Sequence, residues 1–178
     1  MSERKYRQTV MFTATMPAAV ERLAKSYMRK PATVIIGQTN KPTERVVQEV
    51  YILNHEDHKK TKLLQVLKRG FTPPIMIFIN SKKGTEILAR NLCKMGYSAV
   101  TLHGGKGQDQ RQLALEQLKS GEKEILVATD IAGRGIDIPN VSLVINFDMS
   151  KTIDTYMPNF YKKTINFLYL FIFCLNNF

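Results

Sequence analysis

The residues best suited to chemistry fall in one short stretch, "VATDIAGRGID", residues 127–137. Thr129 supplies a hydroxyl and Asp130 a carboxylate directly after an apolar run. Arg134 then stands between Gly133 and Gly135, and Asp137 adds a second carboxylate before Pro139. Glycines let backbone approach a ligand closely, so this polar loop is a candidate ligand site. A tight turn in which Arg134 pairs with Asp130 or Asp137 accounts for the same residues, and such pairs are often worth little. Two other stretches have a similar character: Asn80 and Ser81 run into Lys82 and Lys83, and His103, Gly104 and Gly105 follow another apolar run.

All three need strands to position them. Residues 125–128 are a short apolar run that reads as a buried strand. Around it "VVQEVYIL", "IMIFIN", "SAVTLH" and "VSLVINFD" read as strands. "HKKTKLLQVLKRG", "KKGTEILARNLCKMG" and "GQDQRQLALEQLKSG" read as helices, ending at Gly70, Gly96 and Gly121. This alternation predicts an α/β fold, a parallel sheet with helices on both faces joined by right-handed crossovers. Ligands of such sheets bind outside the carboxyl ends of the strands, where all three polar stretches would converge. Two of the loops lead into helices, whose unpaired N–H groups suit phosphate. Ser81 reads as an N-cap. Ordinary capping and loop solvation explain any one loop; three at one edge are harder to explain that way.

The chain has 178 residues and a net charge of +11, unevenly spread. Residues 1–43 carry eight Lys/Arg against two Glu, whereas residues 44–158 carry sixteen against thirteen acids. The charge alone is therefore weak support for a polyanionic partner. Residues 1–43 contain the helical pattern "AAVERLAKSYM", closed by Pro31, and "TVII", which reads as a strand before a polar linker. Residues 158–178 hold seven of the sixteen aromatic residues and no acid. They show neither helical spacing nor alternation, and read as a divergent tail with an aggregation hazard. Their longest apolar run, "FLYLFIFCL", is well short of the ~20 residues of a membrane-spanning helix, so no membrane partner is expected. Cys93 falls on the apolar side of a predicted helix and is expected to be a buried free thiol. Neither a disulfide framework nor a metal site is expected.

Four motifs together resemble the DEAD-box ATP-dependent RNA helicases. "TAT", from Thr13 to Thr15, is similar to motif III, at the end of a first RecA-like domain. "IMIFIN" is similar to motif IV, "LHGGKGQDQR" carries the glycine pair and a Gln-x-x-Arg element, and "VATDIAGRGID" is similar to motif V. The resemblance covers residues 1 to about 156. It implies a RecA-like sheet of the P-loop NTPase superfamily, the helicase C-terminal domain, over residues 44–157. Residues 1–43 would be the end of the first RecA-like domain and a linker. It further implies RNA-backbone contacts from Asn80, Lys83, Gly104, Gly105, Arg111, Thr129 and Asp130. Gly135 and Asp137 would lie at the nucleotide, and Thr13, Thr15 and Arg134 would couple the domains. ATP and Mg²⁺ would be cofactors of the whole protein, and RNA and the first RecA-like domain its partners. Contacts to phosphate and sugar imply little sequence specificity, and the 2′-hydroxyl would separate RNA from DNA. His103 reads more simply as a partly buried ring satisfied by loop backbone. "HGGKGQDQR" and "NFDMSKTIDTY" resemble the spliceosomal branch acting at the 5′ splice site, which implies spliceosomal protein partners, pre-mRNA splicing and a nuclear location.

The departures are as informative. The sequence has no G-x-x-x-x-G-K-[ST] to cradle phosphates and no Asp-Glu-Ala-Asp run. After the tyrosine matching Tyr156 the family reads His-Arg-x-Gly-Arg-x-Gly-Arg, where this chain has "MPNFYKKTI". Arginine fingers are worth about 10³–10⁵ in rate, and Lys162 is a poor replacement for one. The domain is thus expected to be truncated before its last motif, with its last strand missing and a sheet edge open. The chain by itself is expected not to hydrolyse ATP. The competing reading is a non-catalytic RNA- or protein-binding module derived from a helicase. An unrelated nucleotide-binding α/β domain is disfavoured, because no acidic cluster or flavin-type loop accompanies the strands.

Overall fold

The apolar runs decide the fold, and where each finds a neighbouring strand it joins a sheet. The computed structural model describes residues 8–13, 16, 18–35, 46–133, 136, 138–149 and 168–175. Two compact units result, Met1–Lys41 and Pro42–Phe178. The first contains helix α1 (Ala18–Tyr27), as expected. The strand expected at "TVII" does not form over residues 33–35, where Val34 is 81% exposed. A strand needs a neighbour for its ladder hydrogen bonds, and the described residues of this unit provide none.

The second unit runs β1 (Val46–Leu53), α2 (Glu56–Leu67), β2 (Ile75–Phe78), α3 (Lys82–Lys94), β3 (Ala99–Leu102), α4 (Gln108–Lys119), β4 (Ile125–Ala128), α5 (Asp130–Gly133), β5 (Leu143–Asn146) and β6 (Leu168–Leu175). The strands form one sheet in the order β1-β6-β5-β2-β4-β3, with every pairing parallel. Strands β2, β4 and β5 are buried along their whole length, which is why they read as unbroken apolar runs. Leu63, Val66 and Leu67 of α2 and Leu88, Ala89 and Leu92 of α3 pack on Ile75, Ile77, Val127 and Ile145. Leu118 of α4 and Ala132 of α5 pack on the opposite face, against Met76, Phe78, Leu126 and Val144. Helices α2, α3 and α4 give way to glycines at φ 81° (Gly70), 92° (Gly96) and 80° (Gly121), as their sequences predicted.

Two expectations are corrected. Residues 168–175 do not stand apart as a tail: they form β6, inserted between β1 and β5, so the strand expected to be missing is supplied. Phe171 and Phe173 are fully buried there. Cys93 is exposed rather than buried. The inward stripe of α3 is Thr85, Leu88, Ala89 and Leu92, and the next residue is turned about 100° from Leu92, at the margin of that stripe.

Candidate nucleic-acid interface

Because the sheet is parallel, its polar loops leave from one edge. Phe78, Ala128 and Leu102 are level across β2, β4 and β3. The ladder continues one residue further: Ile79 N–H donates to Ala128 O at 3.0 Å and Thr129 N–H to Leu102 O at 3.1 Å. Asn80, His103 and Thr129 therefore emerge side by side. β5 ends level with them, its Asn146 opposite Phe78, and adds Asp148 and Met149. Thr129 is held down to 9% exposure, and the partly buried Asp130 opens α5.

Each loop is fixed locally. Ser81 caps α3, its Oγ accepting the Gly84 N–H at 3.1 Å. A Cβ at Gly84 would sit 2.9 Å from Ile79 Cδ1 and 3.2 Å from Ser81 Cβ, so a larger residue there would push the tip of Ile79 aside. Lys82 and Lys83 are both exposed. It is Lys82 that reaches across to the next loop: a Cβ on Gly104 would lie 3.9 Å from its ammonium. Arg111 sits in the first turn of α4, its N–H on Gly107 O at 3.1 Å.

Between these loops lies a polar cluster that the sequence did not announce. Glu86 Oε1 accepts from Thr101 Oγ1 at 2.8 Å, contacts His103 Nε2 at 2.9 Å and lies 3.4 Å from Lys106 Nζ. Burial disfavours its charge, but the hydrogen bonds from His103 and Thr101 and the nearby Lys106 outweigh this. The Glu86 carboxyl is held below its ordinary value of 4.5. A lowered carboxyl stabilises the fold above its unfolded value and loses that contribution as pH falls through the folded one. Thermal melts of Glu86→Gln against the parent chain should therefore differ most near neutral pH and converge only as the pH falls below the ordinary 4.5 and through the lowered value. A gap that stays constant through that range would count against this role for Glu86.

A second network, also unforeseen, anchors Asn80. Lys59, on α2, has only 5% of its side chain exposed. Its ammonium lies 2.8 Å from Asp148 Oδ1 and 3.2 Å from Glu56 Oε1. The other oxygen of Asp148 accepts the Asn80 N–H at 2.9 Å, and Asn80 Nδ2 donates to Met149 O at 3.0 Å. In the sequence Lys59 looks like one of several solvated lysines; only the long-range partner gives it away. Asn146 is the exception among these polar groups. It is 1% exposed, and among the described residues neither its side-chain nitrogen nor its oxygen has a hydrogen-bond partner.

The structure thus brings together Asn80, Lys83, Gly104, Gly105, Arg111, Thr129 and Asp130 on the loops and helix starts of one sheet edge. Thr13 lies in the first unit. Thr15, Arg134, Gly135 and Asp137 lie outside the described residues. Among the described residues no three His, Cys, Asp or Glu side chains come together as a group that could hold a metal ion. No helix among them is long and apolar enough to cross a membrane.

Residues 58–158 match the model of the helicase conserved C-terminal domain, more than half of the chain. The chain belongs to that helicase family. Its helicase relatives include the human probable ATP-dependent RNA helicase DDX23, 63% identical over 153 residues, which are 86% of this chain and 18% of the relative. The crystal structure of the RNA helicase Prp28 from Chaetomium thermophilum bound to ADP superposes with a TM-score of 0.65 at 43% identity, over 98% of this chain and 42% of that one. The yeast DEAD-box splicing factor Prp28 gives 0.69 at 36% identity, over 97% and 38%. This helicase chain spans about a fifth of the curated relative's length. The family match ends at residue 158, before β6.

Proposed function

We propose that this chain is the RNA-backbone-binding half of a DEAD-box helicase that remodels RNA–protein assemblies in pre-mRNA splicing, with a nuclear location. The observation that carries the reading is the convergence of Asn80, the Gly104–Gly105 turn and Thr129 at one sheet edge, with Lys82, Lys83 and Arg111 around them. A hydroxyl, cations and a glycine turn that lets a backbone come close suit a phosphodiester chain and read little of its sequence. ATP and Mg²⁺ would be held mainly by residues of the whole helicase outside this chain. From this chain Gly135 and Asp137 would approach the nucleotide, and Thr13, Thr15 and Arg134 would link the two RecA-like domains. Unwinding would need the first domain as partner.

The test is RNA binding by the full 178-residue chain across a salt titration, with and without Arg111→Ala plus Thr129→Ala. Hydrogen bonds to charged groups are each worth about ten- to hundredfold, so the double variant should lose about 10²-fold or more. Losing one phosphate contact should also flatten the plot of log affinity against log salt by about 0.7. Circular dichroism should show both chains folded. Undiminished binding by the folded variant would transfer the activity to the basic residues near the N-terminus. The domain would then stand as a non-catalytic protein-binding module.

A further inference from the structure

His103 has its two ring nitrogens committed in opposite senses. The Gly105 N–H can only donate, and it points at Nδ1 from 3.1 Å. Nδ1 is therefore the acceptor, and the ring proton sits on Nε2, where it donates to Glu86 Oε1 at 2.9 Å. A side-chain acceptor on one residue taking the N–H two residues on is the geometry by which asparagine and aspartate fold turns. His103 thus folds the Gly104–Gly105 turn from within, and Glu86 on α3 fixes which nitrogen it offers. A Cβ at Gly105 would fall 3.1 Å from Nδ1, so the ring lies flat against the turn it organises.

We propose that neutral His103 is the positioning residue of the glycine turn at the RNA edge, and that protonating it weakens RNA binding. This rests on the reading of that edge as the RNA site. Protonation places a second N–H on Nδ1, facing the Gly105 N–H, so two donors oppose each other. The ring cannot turn away without surrendering Glu86, whose attraction grows once the ring is charged. The other charges around it are Lys106 of the same turn, 3.4 Å from Glu86, and Lys82 of α3, which lies over Gly104. The turn must give way. The sign is diagnostic, because adding positive charge to a protein that binds a polyanion would otherwise tighten binding.

The experiment measures affinity of the full chain for oligouridylate at fixed ionic strength from about pH 8 to about pH 5, the range of imidazole titration. Parent, His103→Asn, His103→Gln and His103→Ala are compared. Asparagine keeps an acceptor for the Gly105 N–H and cannot be protonated, so it should bind within about twofold of the parent at the alkaline end. Alanine and glutamine lose that acceptor and should bind about 2- to 10-fold more weakly there, the equivalent of one hydrogen bond. On acidification the parent should lose about 2- to 10-fold relative to His103→Asn. That ratio isolates the change at residue 103. A folded His103→Ala that binds like the parent, or a parent that tightens as much as His103→Asn in acid, overturns the proposal. Arg111→Ala plus Thr129→Ala separates the two levels. If that pair abolishes binding while His103 variants are neutral, only the positioning role fails; if it changes nothing, the RNA edge itself fails and the proposal with it.

Discussion

Asp148→Ala is expected to cost the second unit about 3–5 kcal/mol, the range for removing one partner of a buried ion pair. The asymmetry of the pair sets the size. Lys59 has 5% of its side chain exposed and Asp148 18%. Without the aspartate the ammonium keeps Glu56, whose side chain is 60% exposed, and the face of the Phe147 ring at 5.6 Å, neither of which replaces a close carboxylate. A lone buried charge is expensive because water is not there to replace the partner. Asn80 also loses the acceptor of its N–H. The reverse deletion, Lys59→Met, should cost much less, because Asp148 can still reach water and keep its bond to Asn80, while methionine fills the space on α2. Urea unfolding at neutral pH, with unchanged slope between variants, measures both. Equal losses from the two substitutions would mean that burial of Lys59 is not the source of the cost. Domains typically have about 5–15 kcal/mol in total, so the alanine variant should be close to unfolding at 37 °C. Its RNA affinity should also suffer through Asn80.

The parts of this molecule that were legible from sequence share a property: their determinants are local. Ser81 caps α3 and glycines end three helices because those rules depend on a few neighbouring residues. The runs at β2, β4 and β5 are apolar without alternation because both faces of a central parallel strand are covered. The same rule explains the failure at the tail. "FLYLFIFCL" has that same signature, an apolar run with neither alternation nor helical spacing, and residues 168–175 of it have a parallel neighbour on each side. "TVII" errs in the opposite direction: it has the pattern, and residues 33–35 find no strand to pair with among the described residues. An apolar run states that a strand is possible, and the partner decides. The candidate site divides similarly. The convergence of Asn80, His103 and Thr129 follows from parallel topology and could be anticipated. Lys59 with Asp148, and Glu86 with Thr101 and His103, are pairings across 89, 15 and 17 residues of chain. No local pattern encodes them.

Removing residues 168–178 is expected to abolish cooperative unfolding of the second unit altogether. β6 is not an edge: it lies second in the sheet, pairing along its full length with β1 and over four residues with β5. Its loss leaves β1 with no strand to pair with and exposes the edge of β5. It also unpacks an aromatic layer. Tyr51 stacks on Phe171 at 6.0 Å and 4°, Phe71 meets Phe171 edge-on at 5.9 Å, and Phe147 meets Phe173 at 6.0 Å. Arg69, bound to Glu49 of β1, lies over the Phe171 ring at 5.1 Å. The milder test is Phe171→Ala in the full chain, with an expected loss of about 3–5 kcal/mol. Ile52→Ala on β1, 69% exposed, should stay within about 0.5 kcal/mol as a control. A truncated chain that melts cooperatively at the parent temperature would show that β6 adds nothing to the fold. The expected result is the opposite: a broad transition, dye-binding apolar surface and aggregation through the unpaired strands. The aromatic tail would then be a structural strand, and a binding assay on a chain lacking it would report on a damaged sheet.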